Sequence, residues 1–168
     1  VRNNSDHKYD EEGKLASSGK TNEIIFEQAQ ELYLNRKNKD KLSYDINDFD
    51  ISFSRGLSLE DGAATLTKFT ANIIGEAISL ILKKEILVNQ ILICGGGRKN
   101  KVLLKSISSY FNSKIDLRLI DDYGLDGDFV ESQAFAFLAV RSYKKLPISF
   151  PNTTNCKSPS LGGELVEN

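Results

Sequence analysis

Apolar positions recur at helical spacing in four stretches of the chain and run together in two short ones. Over residues 21–36, Ile25, Phe26, Ala29, Leu32 and Tyr33 fall on one face, which predicts an amphipathic helix. Ser58-Leu59-Glu60-Asp61 reads as a helix start, with Ser58 as N-cap and two acids complementing the dipole in the first turn. That helix is predicted to run to about Lys84, with Leu66, Thr70, Ile73, Ile74, Ala77, Ile78 and Ile81 as a wide apolar stripe. Ala63, Ala64, Ala71, Gly75 and Ala77 keep its surface low enough for close packing on a sheet. The runs 90–94 and 115–120 are short and rich in branched aliphatic residues, and read as strands, the first of them buried. Between them, residues 100–111 are predicted as a helix capped by Asn100, with Val102, Leu103, Ser106, Ile107 and Tyr110 on one side. A last helix is predicted over 128–144, carrying Val130, Ala134, Phe137, Leu138 and Arg141 on one side, with Phe135, Phe137 and Leu138 as core.

The order helix, strand, helix, strand, helix is that of an α/β fold. Two strands are thin for a free-standing sheet, so part of the sheet is expected to lie elsewhere, leaving apolar surface exposed. The short link after the long helix predicts that this helix packs antiparallel to strand 90–94. Residues 1–20 are polar and glycine-punctuated and read as a surface connection. Residues 35–41 read as a charged, solvated loop, and 45–53 as irregular chain pinned by Phe49 and Phe53. The tail 146–151 is proline-bounded, and 160–167 is a short terminal segment.

At 168 residues the chain is one domain's worth of polypeptide. Its net charge of -1 gives no reason to expect nucleic acid or an anionic membrane as partner. No apolar run reads as long enough to cross a bilayer, since 80–87 is broken by Lys83, Lys84 and Glu85. Residues 1–14 are polar, unlike a secretory signal, and the chain opens on Val1, which fits processing or a piece of a longer protein. Cys94 and Cys156 lack metal-type spacing; a buried, reduced Cys94 and a cytoplasmic location are the expectation. His7, the single histidine, reads as a surface residue.

The chemistry-bearing motif is Cys94-Gly95-Gly96-Gly97-Arg98-Lys99-Asn100, a glycine turn between strand and helix. Glycines without Cβ allow close ligand approach and φ > 0, and N–H groups at the helix start favour an anion. A bland strand-to-helix turn explains the same residues, and the motif is neither GxGxxG nor a P-loop. Arg98 and Lys99 read either as phosphate attraction or as a solvated turn. Asp121 and Asp122 read as an exposed acidic turn, and Glu131 as an ordinary first-turn acid or a ligand carboxylate.

Several co-linear segments together resemble one family. They are Leu57-Ser58-Leu59-Glu60-Asp61-Gly62-Ala63-Ala64-Thr65, then Gly95-Gly96-Gly97, then Tyr123-Gly124-Leu125-Asp126-Gly127-Asp128-Phe129-Val130-Glu131-Ser132-Gln133-Ala134. Asp45-Ile46-Asn47-Asp48-Phe49-Asp50 and the tail Leu146-Pro147 to Phe150-Pro151-Asn152 fit as well. The chain is similar over nearly its whole length to the C-terminal part of anhydro-N-acetylmuramic acid kinases. The resemblance implies an incomplete second lobe of the actin-like, ribonuclease H-like sugar kinases, a sheet covered by helices, spanning 1–168. It implies ATP and Mg²⁺, ring opening of 1,6-anhydro-N-acetylmuramic acid with phosphorylation at O6, and a role in peptidoglycan recycling. Gly95, Gly96, Gly97 and Asn100 then lie on the nucleotide side and Glu131 on the sugar side, with Asp126 and Asp128 at its rim. The family's phosphate loop and catalytic base have no counterpart in the chain, so no catalytic residue is assigned, no metal ligand is assigned, and the chain alone is expected to be inactive. A missing N-terminal lobe is the implied partner, and a homodimer is a further possibility. The sequence departs from the family's usual pattern at Leu42, at Ile46 and at Arg98-Lys99, where Ala-His is usual. A non-catalytic nucleotide-binding or assembly module, or a degenerate split-gene product, therefore stays open.

Overall fold

The computed structural model describes residues 8–34, 48–84, 88–111, 115–164 and 166. His7, the 35–41 loop, residues 45–47 and residues 85–87 of the 85–89 link lie outside the described residues; among the described ones the long helix packs on other helices rather than on the first strand as expected.

The long helix, α3 (Leu59–Lys84), is the organising element. It starts where the sequence predicts: the Asp61 amide donates to Ser58 Oγ at 3.1 Å, and Glu60 and Asp61 occupy the first turn. Around it pack α1 (Lys14–Ser18), α2 (Glu23–Leu34) and α4 (Lys101–Ser108). The small residues foreseen on α3 serve helix–helix contact. Ala64, Ala71 and Gly75 are buried, and a Cβ on Gly75 would collide with the ring of Tyr110 just beyond α4. Thr65 is fully buried and satisfied at both ends of its hydroxyl, donating to Asp61 O at 2.7 Å and accepting from the Asn22 amide at 3.0 Å. That second bond ties the start of α2 to α3, while Asn22 Oδ1 accepts from Ile25 N–H at 3.1 Å. Phe26 and Ala29 of α2 meet Phe69 of α3, with Tyr33, Phe49, Phe53 and Ile73 packed around them. Phe49 and Phe53 thus pin their segment to the core as expected; the Phe53 and Phe69 rings meet edge-on at 5.2 Å between centroids.

By length and composition residues 59–83 would suffice for a membrane span, contrary to the sequence reading. The hydrogen-bonded Thr65 and the buried Asn72, which donates to Glu76 at 3.0 Å, face packed protein instead.

The connection read over residues 1–20 is structured from Asp10 onward. The Asp10 carboxylate accepts from Leu15 N–H at 2.8 Å and Ala16 N–H at 3.1 Å, opening α1 and seating a buried Ala16. A 3-10 turn at Glu11–Gly13 rests on α4, where Glu12 pairs with Lys101 at 3.0 Å. Periodicity could not reveal this, because the contacts are polar and the helix is a single turn and a half.

β1 (Gln90–Ile93) and β2 (Asp116–Leu119) form a two-stranded parallel sheet, with Ile91 opposite Leu117 and Ile93 opposite Leu119. α4 is the crossover between them, as parallel pairing requires. Both strands alternate rather than being buried throughout. Ile91, Ile93, Leu117 and Leu119 are half-buried, and with Leu104 and Ser108 of α4 the residues Ile93, Leu117 and Leu119 line a cavity of about 370 Å³. The opposite face, Gln90, Leu92, Asp116 and Arg118, is exposed. Cys94 shares the parity of Gln90 and Leu92, so it is exposed, not buried as expected.

α5 (Val130–Tyr143) is the second departure. Phe135 is 64% and Phe137 62% exposed, so these two rings are not core. Phe129, Val140 and Tyr143 are exposed as well. Among the described residues the tail is what returns to this helix: Arg141 Nε donates to Pro147 O at 2.8 Å, and Ser142 Oγ donates to Gly162 O. A bridge pairs Ser149 with Ser160, and α6 (Pro151–Thr154) lies between them. Exposed large apolar side chains occur on α2, α3 and α5, with Leu92 alone on the strands, so the apolar surface expected at the sheet edge lies mostly on helices instead.

Candidate functional site

β1 delivers the chain into the glycine turn. Gly95 has φ 79° and ψ 171°, a conformation in practice confined to glycine. Positive φ is needed at this position alone of the three; Gly96 and Gly97 enter a 3-10 turn that runs to Lys99. A Cβ on Gly96 would meet nothing within 4 Å, and one on Gly97 only Leu103 at 3.8 Å. Packing inside the chain thus leaves Gly96 unexplained, and the space over it is open to a ligand. Asn100 ends the turn by accepting from Leu103 N–H at 2.9 Å, the predicted N-cap of α4. Its Oδ1 also lies where Gly13 lacks a side chain, so Asn100 is engaged on the protein side.

The turn is bonded to the loop before α5. Gly95 N–H donates to Gly127 O at 2.9 Å. Arg98 lies between the two segments and is only 7% exposed. Its Nε and Nη2 grip Asp121 at 2.7 and 2.9 Å, while Nη1 donates to Asp128 at 2.6 Å and to Gly95 O at 3.1 Å. Lys99 adds a second ion pair to Asp128 at 2.5 Å. Asp126 lies 3.8 Å from Nη2 and accepts from its neighbour's amide, Asp128 N–H, at 2.9 Å. Gly127 is buried because the guanidinium occupies the space a side chain would need. Neither sequence reading of Arg98 matches this arrangement: it is neither solvated nor available to a phosphate. Asp121 and Asp122 do form an exposed acidic turn, with the Asp121 carboxylate also bound by Arg98. The signal that could have found the arrangement is charge complementarity between Arg98-Lys99 and the acidic loop 121–128, two segments that parallel strands bring to the same end of a sheet.

Hydrogen bonding to Arg98 holds the Asp121 carboxyl down to about 2, aided by the Gly127 amide and opposed by partial burial. Asp128 is lowered by Arg98 first and Lys99 second, and Arg98 itself is raised by both aspartates. A carboxylate lowered by folding stabilises the fold above its unfolded value, here 3.8, and that contribution is lost as pH falls through the folded value. The contacts are therefore expected to be complete above about pH 4 and to open between about pH 4 and 2, with Arg98 charged throughout. Backbone amide shifts of Gly95 and Gly127 followed by NMR would report this; a change centred near neutral pH would contradict it.

Glu131 is the second residue of α5 and is exposed, three residues after Asp128 of the loop that Arg98 holds. The structure thus joins the glycine turn to the segment leading into Glu131, while Asn100 serves the helix cap. Among the described residues no cluster of three or more metal-type ligands occurs.

A strand, an open glycine turn and a crossover helix, clasped to an acidic loop, make this an α/β chain with its candidate site at the carboxyl end of a parallel strand. The family model for anhydro-N-acetylmuramic acid kinase matches residues 1–167, and the chain belongs to that family. An anhydro-N-acetylmuramic acid kinase of Pelagibacter ubique (strain HTCC1062) is 53% identical over 171 residues, covering 100% of this chain and 45% of the relative. Anhydro-N-acetylmuramic acid kinase 2 of Jannaschia sp. (strain CCS1) is 36% identical and that of Rhizobium rhizogenes (strain K84 / ATCC BAA-868) 38%, each over 94% of this chain and 40% and 41% of the relative. The chain spans less than half the length of these curated relatives.

Proposed function

We propose that residues 1–168 form the second lobe of an ATP-dependent sugar kinase of actin-like, ribonuclease H-like architecture. The complete enzyme would open 1,6-anhydro-N-acetylmuramic acid and phosphorylate it at O6 during peptidoglycan recycling, in the cytoplasm. The observation that carries the reading is the open turn at Gly95–Gly97 within a family match over residues 1–167. ATP would approach over Gly96, where a side chain has no internal neighbour and its absence leaves room for a ligand. Among the described bonds the Gly96 and Gly97 amides have no backbone acceptor, which suits the polar edge of a nucleotide. Glu131 would face the sugar, its ionised oxygens accepting hydrogen bonds from hydroxyl groups.

The described residues beside the turn do not by themselves fit a resident Mg²⁺. Asp121 and Asp128, the acids nearest the turn, are already held by Arg98 and Lys99. In this reading the ion arrives with the nucleotide phosphates, and its protein ligands belong to the first lobe, along with the phosphate loop and base that the family resemblance implies. Phosphoryl transfer depends mostly on positioning and charge neutralisation, so a lobe that sets ligand position contributes without holding the base.

A coupled assay of ADP release tests the proposal. The complete two-lobe protein is expected to turn over with the anhydro sugar, ATP and Mg²⁺, and the 168-residue chain alone is not. Turnover by the isolated chain would overturn the lobe assignment, and an inactive complete protein would overturn the activity. Within the same assay Glu131→Gln keeps size and helix position but loses the charge-assisted bonds. It is expected to raise the sugar KM by about tenfold and leave the ATP KM unchanged; an equal rise in both would remove Glu131 from the sugar side.

A further inference from the structure

We propose that Arg98 is a positioning residue that makes the glycine turn and the head of α5 one rigid body, so that the nucleotide and sugar sides of the site depend on each other. The inference rests on the reading of the site given above, but its geometry stands apart from that reading.

The contact pattern is that of a clasp rather than of a surface ion pair. Arg98 is nearly buried, while its partners Asp121 and Asp128 remain partly exposed, so the guanidinium is the hub and the loop wraps around it. Three of its nitrogens reach three separate places at once: Asp121 at the end of β2, Gly95 O inside the glycine turn, and Asp128 just before α5. Fork geometry matters here. A planar guanidinium can grip Asp121 with two nitrogens and still turn a third toward Asp128 and Gly95, whereas an ammonium is a point charge with no such reach. Gly127 completes the fit, since any side chain there would overlap Arg98, and its carbonyl accepts from the Gly95 amide at 2.9 Å.

The consequence follows from sequence adjacency. Gly95, held by Arg98 through its carbonyl and by Gly127 through its amide, carries the positive φ that sets the path of Gly96 and Gly97. Asp128, held by Arg98 and Lys99, immediately precedes the helix whose second residue is Glu131. Displacing the guanidinium therefore frees both ends together. A residue that merely added stability would loosen the fold broadly, or one segment alone.

Arg98→Lys is the discriminating change. In the 168-residue chain, amide hydrogen exchange is expected to rise at least tenfold in 94–99 and in 121–130 together, with α3 unchanged. A rise confined to one segment, or spread over the whole chain, would overturn the proposal. Should the lysine variant fail to fold, Asp128→Asn, which weakens the bonds to Arg98 and Lys99 but leaves the grip on Asp121, is expected to raise exchange in the same two segments by a smaller factor, and protection there would overturn the proposal equally. In the complete two-lobe protein, Arg98→Lys is expected to weaken a non-hydrolysable ATP analogue at least tenfold and to raise the sugar KM as well. If the wild-type protein binds the analogue and Arg98→Lys binds it equally well, the positioning role falls and the nucleotide reading stands. If the wild-type protein binds no analogue, the nucleotide reading falls, and the exchange measurement alone decides whether Arg98 locks the two segments.

Discussion

Gly96→Val is expected to reduce ATP affinity of the complete two-lobe protein by at least 100-fold while leaving the fold of this chain unchanged. Both halves of that expectation come from one geometric fact. Gly96 lacks positive φ, and a Cβ there meets no atom within 4 Å, so a side chain can leave the backbone without obstruction. Surface changes of that kind alter stability by no more than about 0.5 kcal/mol. The side chain would instead project into the open space over the turn, where the nucleotide is proposed to approach. Calorimetric titration gives the affinity, and circular dichroism with a thermal melt gives the fold. Undiminished ATP binding would reduce the three glycines to a tight turn and leave the nucleotide assignment resting on family membership. Gly95 is unsuitable for the same experiment, because any substitution there is strained by its φ of 79° whatever binds.

Gly19→Ala is expected to be the most damaging single methyl group in the chain, lowering stability by about 3 kcal/mol. The added Cβ would fall inside the main-chain carbonyl of Glu60, in the first turn of α3. Backbone cannot rotate aside as a side chain can. Relief would require opening the bond from Lys20 N–H to Asp61 Oδ1 at 2.7 Å, which seats the chain after α1 on α3. Gly62→Ala makes the matched control. Its Cβ would meet Leu57 at an ordinary 3.8 Å, and alanine in a helix interior is favoured over glycine by about 1 kcal/mol. Urea denaturation should show the two midpoints moving in opposite directions from the parent; a shared direction would contradict the packing of α1 against α3.

Local signals in the sequence were read well where one segment decides the outcome. Ser58 caps α3, Asn100 caps α4, and both strands appear at the predicted places, since caps and short aliphatic runs act within a few residues. Parity and partnership were harder to read. Cys94 was assigned to the interior because its strand looked continuously apolar, but a sheet of two strands buries one face at most. Phe135 and Phe137 carry the composition of core residues, yet composition cannot say whether anything packs on them. The triple glycine announced an unusual turn without saying which residue bears the positive φ. Arg98 was the largest omission, because its meaning lies in Asp121 and Asp128, which approach it only after β1 and β2 have paired.

That pairing has a kinetic side. Parallel strands joined through a helix cannot zip from a tight turn, so β1 and β2 must await the docking of α4. With two strands and one exposed face, the sheet is expected to be among the first parts of the molecule to open in native-state fluctuations. The glycine turn hangs from the end of β1 and is tied down through Gly95, so the clasp holds only while β1 and β2 stay paired. A ligand that binds there would then draw part of its effect from completing the fold, and would be felt as a slowing of local opening at the sheet before any change of shape elsewhere.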